Sequence, residues 1–201
     1  MPRVFLSYSH EEPEHNKWVM DLGKLLRENG VDAYLDKWDL IPGQDIHVWE
    51  KEASGRFEYL CSSRLNKEKE NPFSNGYWQA SFVLLSKPDI TSLKDFLEKL
   101  RESETGRTGW DIGWVPTRSG IAPYPFQEGI EVWLAEDGDK GPGHSDFWRA
   151  EPSGRFVLFR GYQEDETDFR ERLNLQERVI DFSLFLWRTS EFLLYLESFS
   201  K

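Results

Sequence analysis

The 201-residue chain is long enough for one large domain, or for a small domain joined to a fragment. Aromatic residues make up 15% of it, which sets it apart from disordered chains even though 30% of its residues are charged. Its net charge is −11, and residues 1–53 and 54–201 are both acidic, which argues against nucleic acid as a partner because duplex binding needs clustered Lys and Arg.

The single cysteine, Cys61, rules out an internal disulfide and fits a reducing compartment. No stretch approaches the roughly 20 apolar residues of a membrane span. The apolar run at residues 4–8 is too short and too polar for a secretory signal. These features predict a cytoplasmic protein with no membrane partner.

Taken in chain order, residues 4–8 predict a buried first strand, and the polar stretch 10–15, with Pro13 inside it, predicts a loop that opens a helix. Trp18, Leu22, Leu25 and Leu26 follow at helical spacing, with Asp21, Lys24, Arg27 and Glu28 opposite them. Asn29-Gly30 supplies a stop, since glycine accepts the left-handed conformation of a helix C-terminus. Residues 31–35 alternate as a second strand. The result is a β–α–β unit with parallel strands and a right-handed crossover. Residues 41–45 then form a loop, and 47–52 begin a helix that Ala53-Ser54-Gly55 ends early.

Beyond this point residues 56–62 and 77–85 predict strands flanking the charged loop 66–72. Ser92-Leu93-Lys94-Asp95 has the pattern of a capping box, opening a helix with Leu93, Phe96, Leu97 and Leu100 on its apolar face. A Trp/Pro/Gly-rich stretch covers 109–125. Residues 130–134, 156–162 and 179–184 predict further strands. A last helix spans 187–198, with Phe192, Leu193 and Leu196 inward. The fold class is an α/β β–α–β segment over 1–53, followed by an α+β module over 54–201 whose sheet is mostly antiparallel or mixed and carries helices on one face.

Several residues stand out for chemistry. Ser7, Tyr8 and Ser9 follow the first strand, and ligands in parallel α/β folds collect at the carboxyl ends of strands. Hydroxyls in that position also satisfy local backbone groups. Pro42 fixes one backbone angle and Gly43 permits an unusual one, so their loop has a specified shape. His144-Ser145-Asp146 holds the residue types of a hydrolase triad, but adjacent residues rarely meet its spatial geometry. Histidines at 10, 15, 47 and 144 show no ligand spacing, so no metal site is expected. Cys61 is expected to pack on a strand as a small hydrophobe. Trp110, Trp114, Tyr124, Trp133 and Trp148 form a core or line a pocket for a planar ligand, with packing favoured. Glu131, Asp146, Arg149 and Arg160 are ion-paired structural groups or polar groups of such a pocket.

Val4-Phe5-Leu6-Ser7-Tyr8-Ser9, the amphipathic helix, and the run Tyr34-Leu35-Asp36-Lys37-Trp38-Asp39-Leu40-Ile41-Pro42-Gly43-Gln44-Asp45-Ile46 occur in order at domain spacing. Over about residues 3–50 this series resembles the opening of TIR/SEFIR domains. The resemblance implies a signalling or defence protein that associates with TIR-like domains, its own or another's, through an interaction loop containing Trp38, Asp39, Leu40, Pro42 and Gly43. It implies NAD as the candidate cofactor, with this same loop at the edge of the nucleotide pocket; Ser7, Tyr8 and Ser9 are the cofactor-binding candidates by their place at the end of the first strand. Active NAD hydrolases of the family carry a glutamate on a later helix. Glu50 and Glu52 stand in a different position, so no catalytic residue carries over. The alternatives are an NAD hydrolase with an unrecognised acid and a small-ligand-sensing module bearing a vestigial TIR fragment. The series from Trp114 to Asp165 resembles the module that follows Alba-like DNA-binding domains in bacterial regulators. That second resemblance implies an accessory or sensor role without DNA binding.

Overall fold

The computed structural model describes residues 3–6, 13–29, 32–35, 46–65, 71–73, 76–84, 88–107, 110–135, 145–162, 171–172, 174 and 181–201. The chain divides into two units, Met1–Val48 and Trp49–Lys201.

In the first unit, β1 (Arg3–Leu6) and β2 (Asp32–Leu35) are joined by α1 (Pro13–Glu28). The strands pair in parallel, from Arg3 opposite Asp32 to Leu6 opposite Leu35. A parallel pair needs such a crossover because a tight hairpin cannot return the chain in the same direction. Pro13 suits the first turn of α1, where its missing N–H has no helical partner to lose. Glu14 in the first turn and Arg27 in the last complement the helix dipole. At the C-terminus the Asn29 amide donates to the Leu25 and Leu26 carbonyls at 3.1 Å, and its side chain donates to Leu25 O at 2.8 Å. Arg27 Nε donates to Ala33 O at 2.6 Å, tying the end of α1 to β2. The inward face of α1 is rotated from the predicted one. Val19 is buried, whereas Trp18 and Leu25 are about half exposed. Val19, Leu22, Gly23 and Leu26 share a stripe that Trp18 and Leu25 only flank.

The second unit opens within α2 (Ile46–Arg64). It continues through β3 (Tyr77–Val83), α3 (Leu93–Glu102), β4 (Tyr124–Phe126), β5 (Gly129–Trp133), β6 (Asp146–Glu151), β7 (Arg155–Gly161) and α4 (Phe182–Phe199). The five strands form one sheet in the order β3-β7-β6-β5-β4, antiparallel throughout. β6 turns into β7 through a three-residue loop in which Gly154 adopts φ +89, the left-handed residue such hairpins require.

Alternate residues of the strands feed two cores. Val132, Trp148, Phe156 and Leu158 pack with Phe96 and Leu100 of α3 and with Phe192, Tyr195, Leu196 and Phe199 of α4. Trp133, Phe147, Val157 and Phe159 pack with Trp49, Ala53, Phe57 and Leu60 of α2. Helices therefore cover both faces of the sheet, not one. The predicted strand at 56–62 is part of α2, which runs through Ala53, Ser54 and Gly55 without ending. Phe57, Tyr59 and Cys61 alternate like strand residues, but the buried set Trp49, Ala53, Phe57 and Leu60 keeps helical spacing. Gly55 in mid-helix costs about 1 kcal/mol relative to alanine and does not stop it.

Two further expectations change. Residues 182–184 are the first turn of α4 rather than a strand, because Asp181 caps that turn by accepting from Ser183 N at 2.8 Å and Leu184 N at 3.2 Å; residues 179–180 lie outside the described residues. β4 and β6 add two strands to those predicted. Ser92 caps α3 as its pattern predicts: its Oγ accepts from Asp95 N at 3.1 Å and donates to Asp95 Oδ2 at 2.7 Å.

Candidate functional site

Leu6 and Leu35, the last residues of β1 and β2, are register partners, so the two parallel strands end at one edge. Carboxyl-end edges of parallel strands are where α/β folds place ligands. The segments that follow these ends contain the sequence candidates Ser7, Tyr8 and Ser9, and Trp38, Asp39, Leu40, Pro42 and Gly43. All eight lie outside the described residues, as does His144.

The second unit buries several charged residues. Asp146 of β6 faces Arg160 of β7 across the sheet. Arg160 Nε donates to Asp146 Oδ1 at 2.7 Å and Nη2 to Oδ2 at 2.6 Å, with both side chains almost fully buried. Arg160 Nη2 also donates to Asp111 O at 2.9 Å, and Trp110 Nε1 donates to Asp146 Oδ2 at 3.0 Å. The Trp110 carbonyl accepts from Arg160 Nη1 and Arg188 Nη1, each at 3.3 Å, and Arg188 pairs with Glu191 at 2.9 Å. Burial, and then the neighbouring Arg160 guanidinium, hold Arg188 below the usual arginine value. Each cation here has a carboxylate, so the charge balances within the cluster.

A second set lies on the α2 side. Arg149 donates to Glu151 Oε1 at 2.7 Å and to Gln127 at 2.6 Å, and Trp49 Nε1 also donates to Glu151 at 2.7 Å. Arg56 of α2 grips Glu131 at 3.1 Å, and its guanidinium lies 4.1 Å from the Phe126 ring centroid. Ser81 donates to Glu50, linking β3 to α2. Buried ion pairs of this kind hold geometry more than they add stability, because desolvation offsets the attraction, while removing one partner is costly.

These contacts place each sequence candidate of the second unit. Glu131, Asp146, Arg149 and Arg160 are ion-paired. Asp146 is held by Arg160 and Trp110, an arrangement unlike a triad aspartate orienting a histidine. Trp133 and Trp148 are core residues, and Trp110, Trp114 and Tyr124 pack partly buried against the cores. Cys61 is on a helix rather than a strand; burial and then Glu58 push its thiol up to about 12, so little thiolate forms at neutral pH. Among the described residues no group of three His, Cys, Asp or Glu could hold a metal. No described helix is long and apolar enough to cross a membrane.

Besides Arg56, Glu151, Arg188 and Glu191, two further groups were not singled out in the sequence. Tyr195 is fully buried, and Glu104, which accepts from Val115 N at 2.7 Å, has its carboxyl raised by burial. Neither carried a local signal, because burial inside a helix or loop is decided by distant packing.

Residues 4–82 match the family model described as TIR domain. The match supports a TIR domain in the N-terminal portion of the chain. It spans α1, β2, α2 and nearly all of β1 and β3, and so runs past residue 50, where the sequence resemblance was expected to end. The last strand in the TIR match, β3, pairs antiparallel with β7. No curated protein and no solved structure matches the chain.

Proposed function

We propose that the chain is a signalling or defence-type protein acting through association of its TIR region with TIR-like domains, its own or another's. The observation that carries this reading is the TIR match over residues 4–82, joined to a parallel β–α–β arrangement whose strands end at one edge. In this reading residues 1–53 are the TIR-like segment and 54–201 an accessory or sensor domain. Trp38, Asp39, Leu40, Pro42 and Gly43 form the contact loop, and its shape depends on the fixed angle at Pro42 and the permissive one at Gly43. Pro42→His and Gly43→Val weaken binding to a TIR partner in a pull-down while thermal unfolding of the second unit is unchanged. Unaltered binding by both variants, or no TIR partner for the wild type, contradicts the reading.

NAD cleavage is the second reading, favoured by the same match, with Ser7, Tyr8 and Ser9 beside the nucleotide. The resemblance carries no residue over to the role of the family's catalytic glutamate, so incubation with NAD is expected to release no nicotinamide above background. Turnover abolished by a single carboxylate substitution would establish the enzyme and identify its acid. A ligand-induced rise in melting temperature of the second unit, without TIR binding, would favour a sensing module instead.

A further inference from the structure

α2 begins directly after the contact loop proposed above. Gly43 is followed by Gln44 and Asp45 and then by Ile46, the first residue of the helix. One turn on, Trp49 and Glu50 are buried, with exposures of 3% and 9%. Trp49 Nε1 donates to Glu151 Oε1 of β6 at 2.7 Å, and Glu50 accepts from the Ser81 hydroxyl of β3. β3 and β6 stand on either side of β7 in the sheet. Two adjacent residues of α2 are therefore bonded to the strands on both flanks of β7. Together these bonds fix where the helix starts on the sheet and the direction in which it runs.

Glu151 is itself held in place. It also accepts from Arg149 at 2.7 Å and from the Ser153 hydroxyl at 3.2 Å, and Arg155 lies 3.6 Å from it. Further along, α2 meets the sheet mostly through Ala53, Phe57 and Leu60, with Arg56 adding its bond to Glu131. Apolar packing is non-directional, whereas a hydrogen bond weakens steeply as its angle departs from the optimum. The Trp49 and Glu50 bonds thus specify a helix position more sharply than the apolar contacts do. Trp49, Glu50 and Ser81 lie inside the TIR match and Glu151 lies outside it. The helix that leaves the loop is thereby anchored to a strand that the family model does not cover.

We propose that Trp49, Glu50, Ser81 and Glu151 are positioning residues for association through the TIR loop, anchoring the chain at the loop's C-terminal end. The inference rests on the association reading and adds to it a part for the second unit, whose sheet holds the helix that the loop runs into. Ordering a segment on binding costs free energy that pre-organisation removes, and contact residues need supporting bonds behind them to keep their geometry. Trp49 and Glu50 act without touching the partner, since their side chains bond to the sheet. Substitutions elsewhere in the second unit alter stability alone; substitutions at these four residues alter association as well.

The test uses the full chain and two readouts: affinity for the TIR partner captured in the pull-down, and amide hydrogen exchange over residues 36–48. Trp49→Phe keeps an aromatic ring and removes the donor to Glu151. Ser81→Ala removes the donor to Glu50. Each variant weakens the affinity roughly threefold or more and speeds exchange over residues 36–48, with an unchanged circular dichroism spectrum. Ser92→Ala lowers the melting temperature through α3 and leaves both readouts at their wild-type values, which separates positioning from a general loss of stability. If Gly43→Val weakens binding while Trp49→Phe and Ser81→Ala bind as the wild type does, the inference is overturned and the association reading stands. Equal weakening by Ser92→Ala also overturns the inference. Wild-type exchange in both variants overturns it whether or not a partner is found. A wild type that captures no TIR partner overturns the association reading and the inference with it.

Discussion

The two sheets of this chain solve the problem of covering strands in opposite ways. β1 and β2 form a parallel pair of four-residue strands, with α1 tied to β2 through Arg27 and Ala33. Parallel sheets are stable when both faces are covered, and two strands alone seldom persist in water. The five-stranded sheet has both faces filled, by α2 on one side and by α3 and α4 on the other. Its central strands are buried throughout, to the point of enclosing the charges of Asp146, Arg149, Glu151 and Arg160. The second unit holds the interior that carries stability. The first holds the short strands whose ends precede the proposed contact loop. Stability and association should therefore respond to different substitutions.

The largest effect is expected at the buried charges. Asp146→Ala leaves Arg160 without its carboxylate and should cost about 3–5 kcal/mol, seen as a lower urea midpoint. The double variant Asp146→Leu/Arg160→Met should recover most of it; equal losses in single and double variants would show that packing rather than charge governs the site. Gly113→Ala comes next. Gly113 adopts φ +63, and an added Cβ would lie 2.6 Å from the Tyr195 hydroxyl, so a loss of about 2–3 kcal/mol is expected from strain and overpacking. Ser92→Ala removes the acceptor of the Asp95 amide and should cost about 1 kcal/mol.

The smallest effect is at alkaline pH. The Cys61 thiol is raised from 9.0 to about 12 and the Tyr124 hydroxyl from 10.0 to about 12, each chiefly by burial. Above about pH 9 the unfolded chain loses these protons while the folded chain keeps them, so stability present below that pH declines as pH rises towards 12. Cys61→Ala should flatten the first part of the decline in urea titrations between pH 8 and 11, and an unchanged slope would assign the decline to other groups.

What could be read from the sequence follows the same division. The β–α–β opening was legible because its apolar runs are short, separately patterned and punctuated by Pro13 and Asn29-Gly30. The helix cap at Ser92 was legible because its hydrogen bonds are local. α2 was misread because Phe57, Tyr59 and Cys61 alternate, while its helical pattern is visible only by joining Trp49 and Ala53 to Phe57 and Leu60 across Gly55. β6 was missed because a strand buried on both faces shows no alternation, and its sequence Asp-Phe-Trp-Arg-Ala-Glu holds charges whose partners lie on other strands. Glu131, Asp146, Arg149 and Arg160 were noticed as polar residues among apolar runs. Their pairing needed the sheet register, which no local pattern specifies.

The central claim, association through the TIR loop, is tested most directly by measuring the affinity of the full chain for a TIR partner. With Gly43→Val added, the account predicts at least about a tenfold weaker dissociation constant, about 1.4 kcal/mol, and an unchanged melting temperature for the second unit. Equal affinity with and without Gly43→Val would contradict it.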